Sequence, residues 1–398
     1  KIMNKYKTLA ALVATALLAT AGAASAQTAV TGGGASLPAD LYKGSGDSIL
    51  PANFSYAVTG SGTGKKAFLE NNSALFSTTG TVHFAGSDSV LSSTELNTYN
   101  STYNVSGDAN RYGALVQIPS VATSVTIPFN KAGSAVDLSV TQICGIFSGK
   151  ITSWSSIDSA RSGAIQVVYR GESSGTTELL ARFLTSACKP ADVSGTALKL
   201  TNGVPAFSVQ STFANLFTTV PSNFVAAPAT GGTSVYNAVY AADGRIGYVG
   251  PDVVPSLADA TKVAKVKGFS PDEVSVQATL ETVAPPTDAA AENPANWVPV
   301  FGNPNAGYPI AGYTNFVFGQ CYKNGTVGAN IRGFLTRHYG STVINGVEQG
   351  PNDAAIRAHK FIPLTKAWRD AIRTRFATAT NAGAVNNPST CSGIGRPL

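Results

Sequence analysis

Arg170 is followed by Glu172 and then by a cluster of hydroxyls, Ser173, Ser174, Thr176 and Thr177, set around Gly175. Residues of these types at this spacing suit one chemistry, the capture of an oxyanion. The guanidinium supplies a fixed charge and a planar donor fork. The Ser-Gly-Thr run supplies hydroxyls and, at the start of a helix, unpaired N–H groups at the positive end of the helix dipole. The flanking residues demand that geometry. Val167, Val168 and Tyr169 read as a short buried strand. Leu179, Leu180, Phe183 and Leu184 give the next segment an apolar helical face.

The same strand–turn–helix pattern occurs three times earlier. Gly32-Gly33-Gly34-Ala35-Ser36-Leu37 leads into a helix started by Pro38, over 39–43. Phe54 to Val58 alternates as a strand and runs through Thr59-Gly60-Ser61 into a helical stretch from Lys65 to Glu70. Val82 to Gly86 is a strand ending at Ser87-Asp88-Ser89, before a helix opened by Ser93 or Thr94. Repetition of this unit predicts an α/β fold with largely parallel sheets. Ligands in such folds collect beyond the carboxyl ends of the strands, where all four turns would meet.

Other chemistries fit less well. Gly171-Glu172-Ser173-Ser174-Gly175 matches the G-x-S-x-G nucleophile elbow, with Ser173 as nucleophile. Only His338 and His359 follow it, both on or near helices that read as solvated faces. Gly60 to Lys65 has a phosphate-loop character, but Thr59 stands where Gly is needed and Lys66 where Ser or Thr would hold magnesium. Three histidines, at 83, 338 and 359, are too dispersed for a two-metal phosphatase, and His83 reads as structural. Helix capping explains Ser36, Ser61 or Ser174 singly, and a turn explains Asp88. Four such turns in one chain, one carrying an arginine, favour a shared ligand.

The N-terminus reads as an export signal over residues 1–26: Lys5 and Lys7, an apolar stretch from Leu9 to Leu18, and Ala24-Ser25-Ala26 before cleavage. No cysteine follows that site, which argues against a lipid anchor. Lys1, Lys5 and Lys7 leave with the signal, so 28 basic residues become 25 against 22 acidic ones. A balance of about +3 gives no reason to expect nucleic acid or membrane attraction. Charged residues are only 13% of the chain, which fits an extracytoplasmic, sheet-rich protein. Cys144, Cys188, Cys321 and Cys391 are expected to pair after export, and three connectivities are open. The mature length suggests two domains. Leu115 to Phe129, interrupted by Pro119 and Pro128, is β-rich and suited to carry the chain between them. Helices are expected over 140–148, 234–242, 331–339 and 367–380, a strand over 308–322, and a long surface loop over 285–305.

Taken together, Gly32 to Pro38, Gly86 to Ser89, Ile118 to Val125, Val167 to Glu178, Trp297 to Gly302 and Gly395 to Leu398 resemble the DING proteins. These are a branch of the extracytoplasmic phosphate-binding proteins that serve bacterial phosphate ABC importers. The resemblance covers essentially the whole mature chain. It departs at the N-terminal signature Asp-Ile-Asn-Gly, replaced here by Ala29-Val30-Thr31-Gly32.

The resemblance implies a two-lobed periplasmic-binding fold of type II with a cleft between the lobes. Lobe I is expected over 27–118 and 268–398, and lobe II over 119–267. Inorganic phosphate would be held by Ser36, the Leu37 N–H, Ser61, Asp88, Arg170, Ser174, Gly175 and Thr176, with Glu172 orienting Arg170. Disulfides are implied between Cys144 and Cys188 and between Cys321 and Cys391. No metal and no cofactor are implied. The protein is expected to be a periplasmic or secreted monomer that serves uptake, through an inner-membrane importer, or scavenging. A weak alkaline phosphomonoesterase is the alternative, with a Ser173 hydrolase behind it.

Overall fold

A computed structural model describes residues 28–398; the expected export signal lies outside them. In chain order the strands that frame the molecule are β1 (Gly32–Gly34), β2 (Ala57–Val58), β3 (Phe84–Ser87), β4 (Leu115–Ser124), β5 (Phe129–Asn130), β6 (Gln166–Tyr169), β7 (Phe224–Ala226), β8 (Arg245–Gly247) and β9 (Ala311–Gly319). The helices used below are α1 (Ser61–Leu69), α2 (Ser93–Thr102), α3 (Val140–Ser148), α4 (Gly175–Ala187), α5 (Gly232–Tyr240) and α6 (Gly325–His338).

The strands form two main sheets, one for each lobe. The first has the order β2-β1-β3-β9-β4, with β1 parallel to β2 and β3, and β9 antiparallel to β3 and β4. The second has the order β7-β6-β8-β5, with β6 parallel to β7 and β8 and β5 antiparallel at the edge. The expected α/β class and the strand–turn–helix units are present. β2 feeds α1, β3 feeds α2 and β6 feeds α4, while β1 feeds a π-helical turn at Asp40–Gly44.

Local sequence explains the helix starts. Ser92 caps α2 and Ser139 caps α3, each in a reciprocal capping box, with Glu95 and Gln142 respectively. Gly60 enters α1 at φ +86°, a conformation other residues adopt only with strain.

β4 continues through Pro119. Two features permit this: β4 lies at the sheet edge, and its register with β9 slips between Thr314 and Asn315, so Ser120 is the extra residue of a bulge. The expected lobe division between residues 118 and 119 falls inside this strand. Pairing with β9 holds to Ser124. The Val125 N–H donates to Ile310 O at 2.8 Å and the Thr126 N–H to Val249 O at 2.8 Å.

Three expectations are corrected. The segment from 367 on is α-helical only over Lys366–Ile372; a π turn at Arg373–Ala377 ends it. The 285–305 loop contains two short 3₁₀ turns, and its Trp297 is buried against Trp368 and Phe376. His338 is buried rather than on a solvated face. It stacks on Phe334 and joins Ser120 O through Nε2 and Asn352 through Nδ1.

Both expected disulfides are present, Cys144–Cys188 tying α3 to the end of α4 and Cys321–Cys391 anchoring the C-terminal segment. Among the described residues no helix is long and apolar enough to cross a membrane.

Candidate functional site

The strand-end turns of the two sheets face each other and enclose a cleft of about 510 Å³. From the first lobe Ser36 and Leu37 line it; from the second, Arg170 and Thr176 do. Ser61, Asp88, Ser174 and Gly175 sit buried immediately beside this group. The structure thus brings all eight sequence-expected residues, drawn from four separate turns, into one region.

The contact between lobes is close. A Cβ on Gly175 would stand 2.7 Å from Ser61 Oγ and nearer still to Asp88, so only glycine fits there. A Cβ on Gly62 would stand 2.8 Å from Ser173 Oγ. The N-termini of α1 and α4 therefore abut across the lobe boundary, their free N–H groups converging beside Asp88. Ser174 caps α4, its hydroxyl accepting from the Thr177 N–H at 3.3 Å, while its own N–H donates to Ser211 O at 2.7 Å.

Arg170 is 3% exposed. Its Nε donates to Glu172 Oε1 at 2.5 Å and its Nη2 to Ser36 Oγ at 3.3 Å. Glu172 Oε1 also accepts from the Gly231 N–H at the start of α5, at 2.9 Å. The pairing with Arg170 and Gly231 holds the Glu172 carboxyl below the usual range in spite of its partial burial.

Asp88 carries the unusual electrostatics. It is 4% exposed, and burial pushes its carboxyl up to about 6. Thr314, the Arg170 guanidinium and Ser61 pull the other way, and Glu178 adds to the rise. Its donors are few. Oδ2 receives only a long contact from Ser61 Oγ, 3.4 Å, and Oδ1 has no partner. Thr314 stands beside the carboxyl without a hydrogen bond of normal geometry to it.

Two residues escaped the sequence reading. Asp252 lines the cleft, and burial pushes its carboxyl up to about 7. It follows the strand end at Tyr248-Val249-Gly250, as the other turns follow theirs, but no helix comes directly after it; the strand end was its available signal. Tyr248 is buried, its hydroxyl 2.6 Å from Thr177 Oγ1 and accepting from the Arg170 N–H at 3.2 Å. Nothing local in the sequence marks it.

The residues of the competing readings have other partners. Ser173 Oγ donates to Ser211 Oγ at 3.1 Å, with no histidine among its partners. At the cleft mouth Ser45, Asp47 and His359 cluster, but Asp47 and Ser45 both meet the same nitrogen, Nε2, at 3.0 and 3.1 Å. A relay needs them on opposite ring nitrogens. Among the described residues no three His, Cys, Asp or Glu side chains cluster as metal ligands. His83 accepts from the Thr31 N–H through Nδ1, and burial pushes it down to about 4.

The family model described as a PBP superfamily domain matches residues 19–336. Alkaline phosphatase L of Pseudomonas aeruginosa is 50% identical over 403 residues, spanning 99% of this chain and all of that protein. A phosphate-binding protein from Stenotrophomonas maltophilia is 91% identical in its solved structure, with TM-score 0.89 over 93% of this chain and all of that one. The high-affinity periplasmic phosphate-binding protein PfluDING, solved with phosphate bound, is 45% identical with TM-score 0.81, over 93% of this chain and all of that one. With residues of two lobes lining one cleft and these likenesses over nearly its whole length, the chain belongs to the PBP superfamily and, within it, to the DING-type phosphate-binding proteins.

Proposed function

We infer that the protein binds inorganic phosphate in the interlobe cleft, for uptake or scavenging. One observation carries the reading: Asp88 is a buried carboxylate with almost no hydrogen-bond donors, set against two helix N-termini and within the field of a buried arginine. N–H, hydroxyl and guanidinium donors alone would accept any tetrahedral oxyanion. A carboxylate among them selects an anion that brings its own proton. Phosphate carries one at neutral pH and sulfate does not. Sulfate would set lone pairs against Asp88, leaving a buried acceptor unpaired at a cost of about 1–3 kcal/mol or more. Sites built on such a specific pairing reject analogues by roughly 10⁴–10⁵.

In this reading Ser36, Ser61, Ser174 and Thr176 offer hydroxyls, and Leu37, Gly175 and Thr176 offer N–H groups. Arg170, held by Glu172, offsets the ligand's charge. The lobes close about the ion by hinge motion, excluding water. PfluDING and the S. maltophilia protein, by their names, bind the same ion. Delivery to a phosphate ABC importer is the proposed use, with the protein acting as an extracytoplasmic monomer. Calorimetry with phosphate, arsenate and sulfate tests the reading. Phosphate and arsenate bind and sulfate fails by at least a thousandfold; equal binding of sulfate refutes it.

The relative named alkaline phosphatase L keeps a second reading open, weak phosphomonoester hydrolysis in the same cleft. Hydrolysis of p-nitrophenyl phosphate by purified protein tests it. Activity lost in both Asp88→Asn and Arg170→Ala supports it; activity surviving in both places the catalyst elsewhere.

A further inference from the structure

Four buried polar atoms in one corner of the first lobe lack a hydrogen-bond partner: Asp88 Oδ1, Thr314 Oγ1, the Tyr42 hydroxyl and Ser120 Oγ. Such atoms are rare in native interiors and call for an explanation. These four are neighbours in a row. Thr314 lies against both Asp88 and Tyr42, and Tyr42 lies against Ser120. The row joins separate elements: the β3 turn, the middle of β9, the π-helical turn and β4. Ser120 is the bulged residue of β4, opposite the slip between Thr314 and Asn315. Bulges beside functional sites re-aim a side chain, and this one sets a hydroxyl next to Tyr42.

We propose that Thr314 is a positioning residue for Asp88: its hydroxyl donates to Oδ1 and accepts from Tyr42, which accepts from Ser120. Three hydroxyl dipoles then point head to tail at the carboxylate, each strengthening the next. With Oδ1 satisfied, Oδ2 stays turned toward Ser61 and Gly175, its lone pair free for a ligand's proton. The row also keeps the buried acid ionised at neutral pH, because hydrogen bonds to the charged form favour it. Other titratable or charged groups in the field of Asp88 are Arg170, Glu178, Tyr42, Tyr56 and Asp252. A Thr314 substitution leaves all of them in place.

The link from Asp88 to selectivity rests on the phosphate reading; the link from Thr314 to Asp88 does not. The experiment separates them. Carboxyl ¹³C NMR of phosphate-free protein follows the titration of Asp88 in wild type, Thr314→Val, Thr314→Ser and Tyr42→Phe, with phosphate and sulfate affinities measured at pH 7. The wild-type midpoint is expected at about 6. Valine, which keeps the shape and loses the hydroxyl, moves it up by about one pH unit. Tyr42→Phe moves it less, and serine restores it. The phosphate-over-sulfate ratio falls about tenfold in Thr314→Val. A folded valine variant with an unmoved midpoint overturns the proposal. Should that variant not fold, an unmoved midpoint in Tyr42→Phe overturns it instead. A midpoint that moves while selectivity holds supports the positioning role and counts against the phosphate reading.

Discussion

Asp88→Asn should make the ligand-free protein more stable while ruining its selectivity. The carboxyl titrates at about 6 in the folded chain, against about 3.9 when unfolded. Between those values the native state binds the extra proton, so stability falls as pH rises through the window. Above it the full cost is present. A displacement of about two pH units is worth about 3 kcal/mol, and Asp88 is too buried for solvent to screen much of it. Asparagine has no charge to desolvate, and its amide finds acceptors in Ser61 and Thr314. Some of the gain is lost to imperfect amide geometry, leaving about 1–3 kcal/mol. Urea unfolding in phosphate-free buffer measures it. The variant should be the more stable at pH 7.5, with its advantage largely gone at pH 4.5. Calorimetry should then show the phosphate-over-sulfate ratio falling to within about tenfold, since the amide donates to either ion. A variant less stable at pH 7.5, or an advantage that ignores pH, would refute the burial argument. Unchanged selectivity would remove Asp88 from recognition.

Arg170→Ala should weaken phosphate binding by at least a hundredfold, because it deletes a desolvated cation and leaves Glu172 without its main partner; Glu172→Gln should cost about tenfold, and calorimetry reads both. Gly175→Ala forces a methyl against Asp88 and Ser61. It should lower stability by about 1–3 kcal/mol and phosphate affinity with it, measured by thermal unfolding with and without the ion. Reducing the two disulfides, which span 44 and 70 residues of sequence, should destabilise the chain by about 4 kcal/mol per bridge in the chain-entropy picture, followed by urea unfolding in reductant.

Much of the site was legible because its parts are local. A strand, a Gly/Ser/Asp turn and a helix start can be read from a dozen residues, and Ser61, Asp88 and Ser174 each stand at such a junction. What the sequence withheld depends on distant pairing. Arg170 meets Ser36 across 134 residues, and Thr314 reaches Asp88 only because β9, late in the chain, slots between β3 and β4. Tyr248 looks like an ordinary strand aromatic until its hydroxyl is seen between Thr177 and Arg170. Pro119 misled in the other direction. A proline argues for a strand break, and here the edge position and the bulge at Ser120 absorb it. His338 was misjudged because a helix near the C-terminus reads as amphipathic without showing which neighbour covers it.

The guanidinium and the acid ride on different halves of the molecule: Arg170 follows β6 of the second sheet, Asp88 follows β3 of the first. Each half therefore owns an incomplete grip. An ion resting on one half alone meets either attraction without discrimination or discrimination without its strongest attraction. In the hinge closure proposed above, tight holding and correct choice arise together as the halves meet and are lost together when they part. The residence time of the cargo is then the lifetime of the shut form, and whatever pries the halves open sets the pace of release.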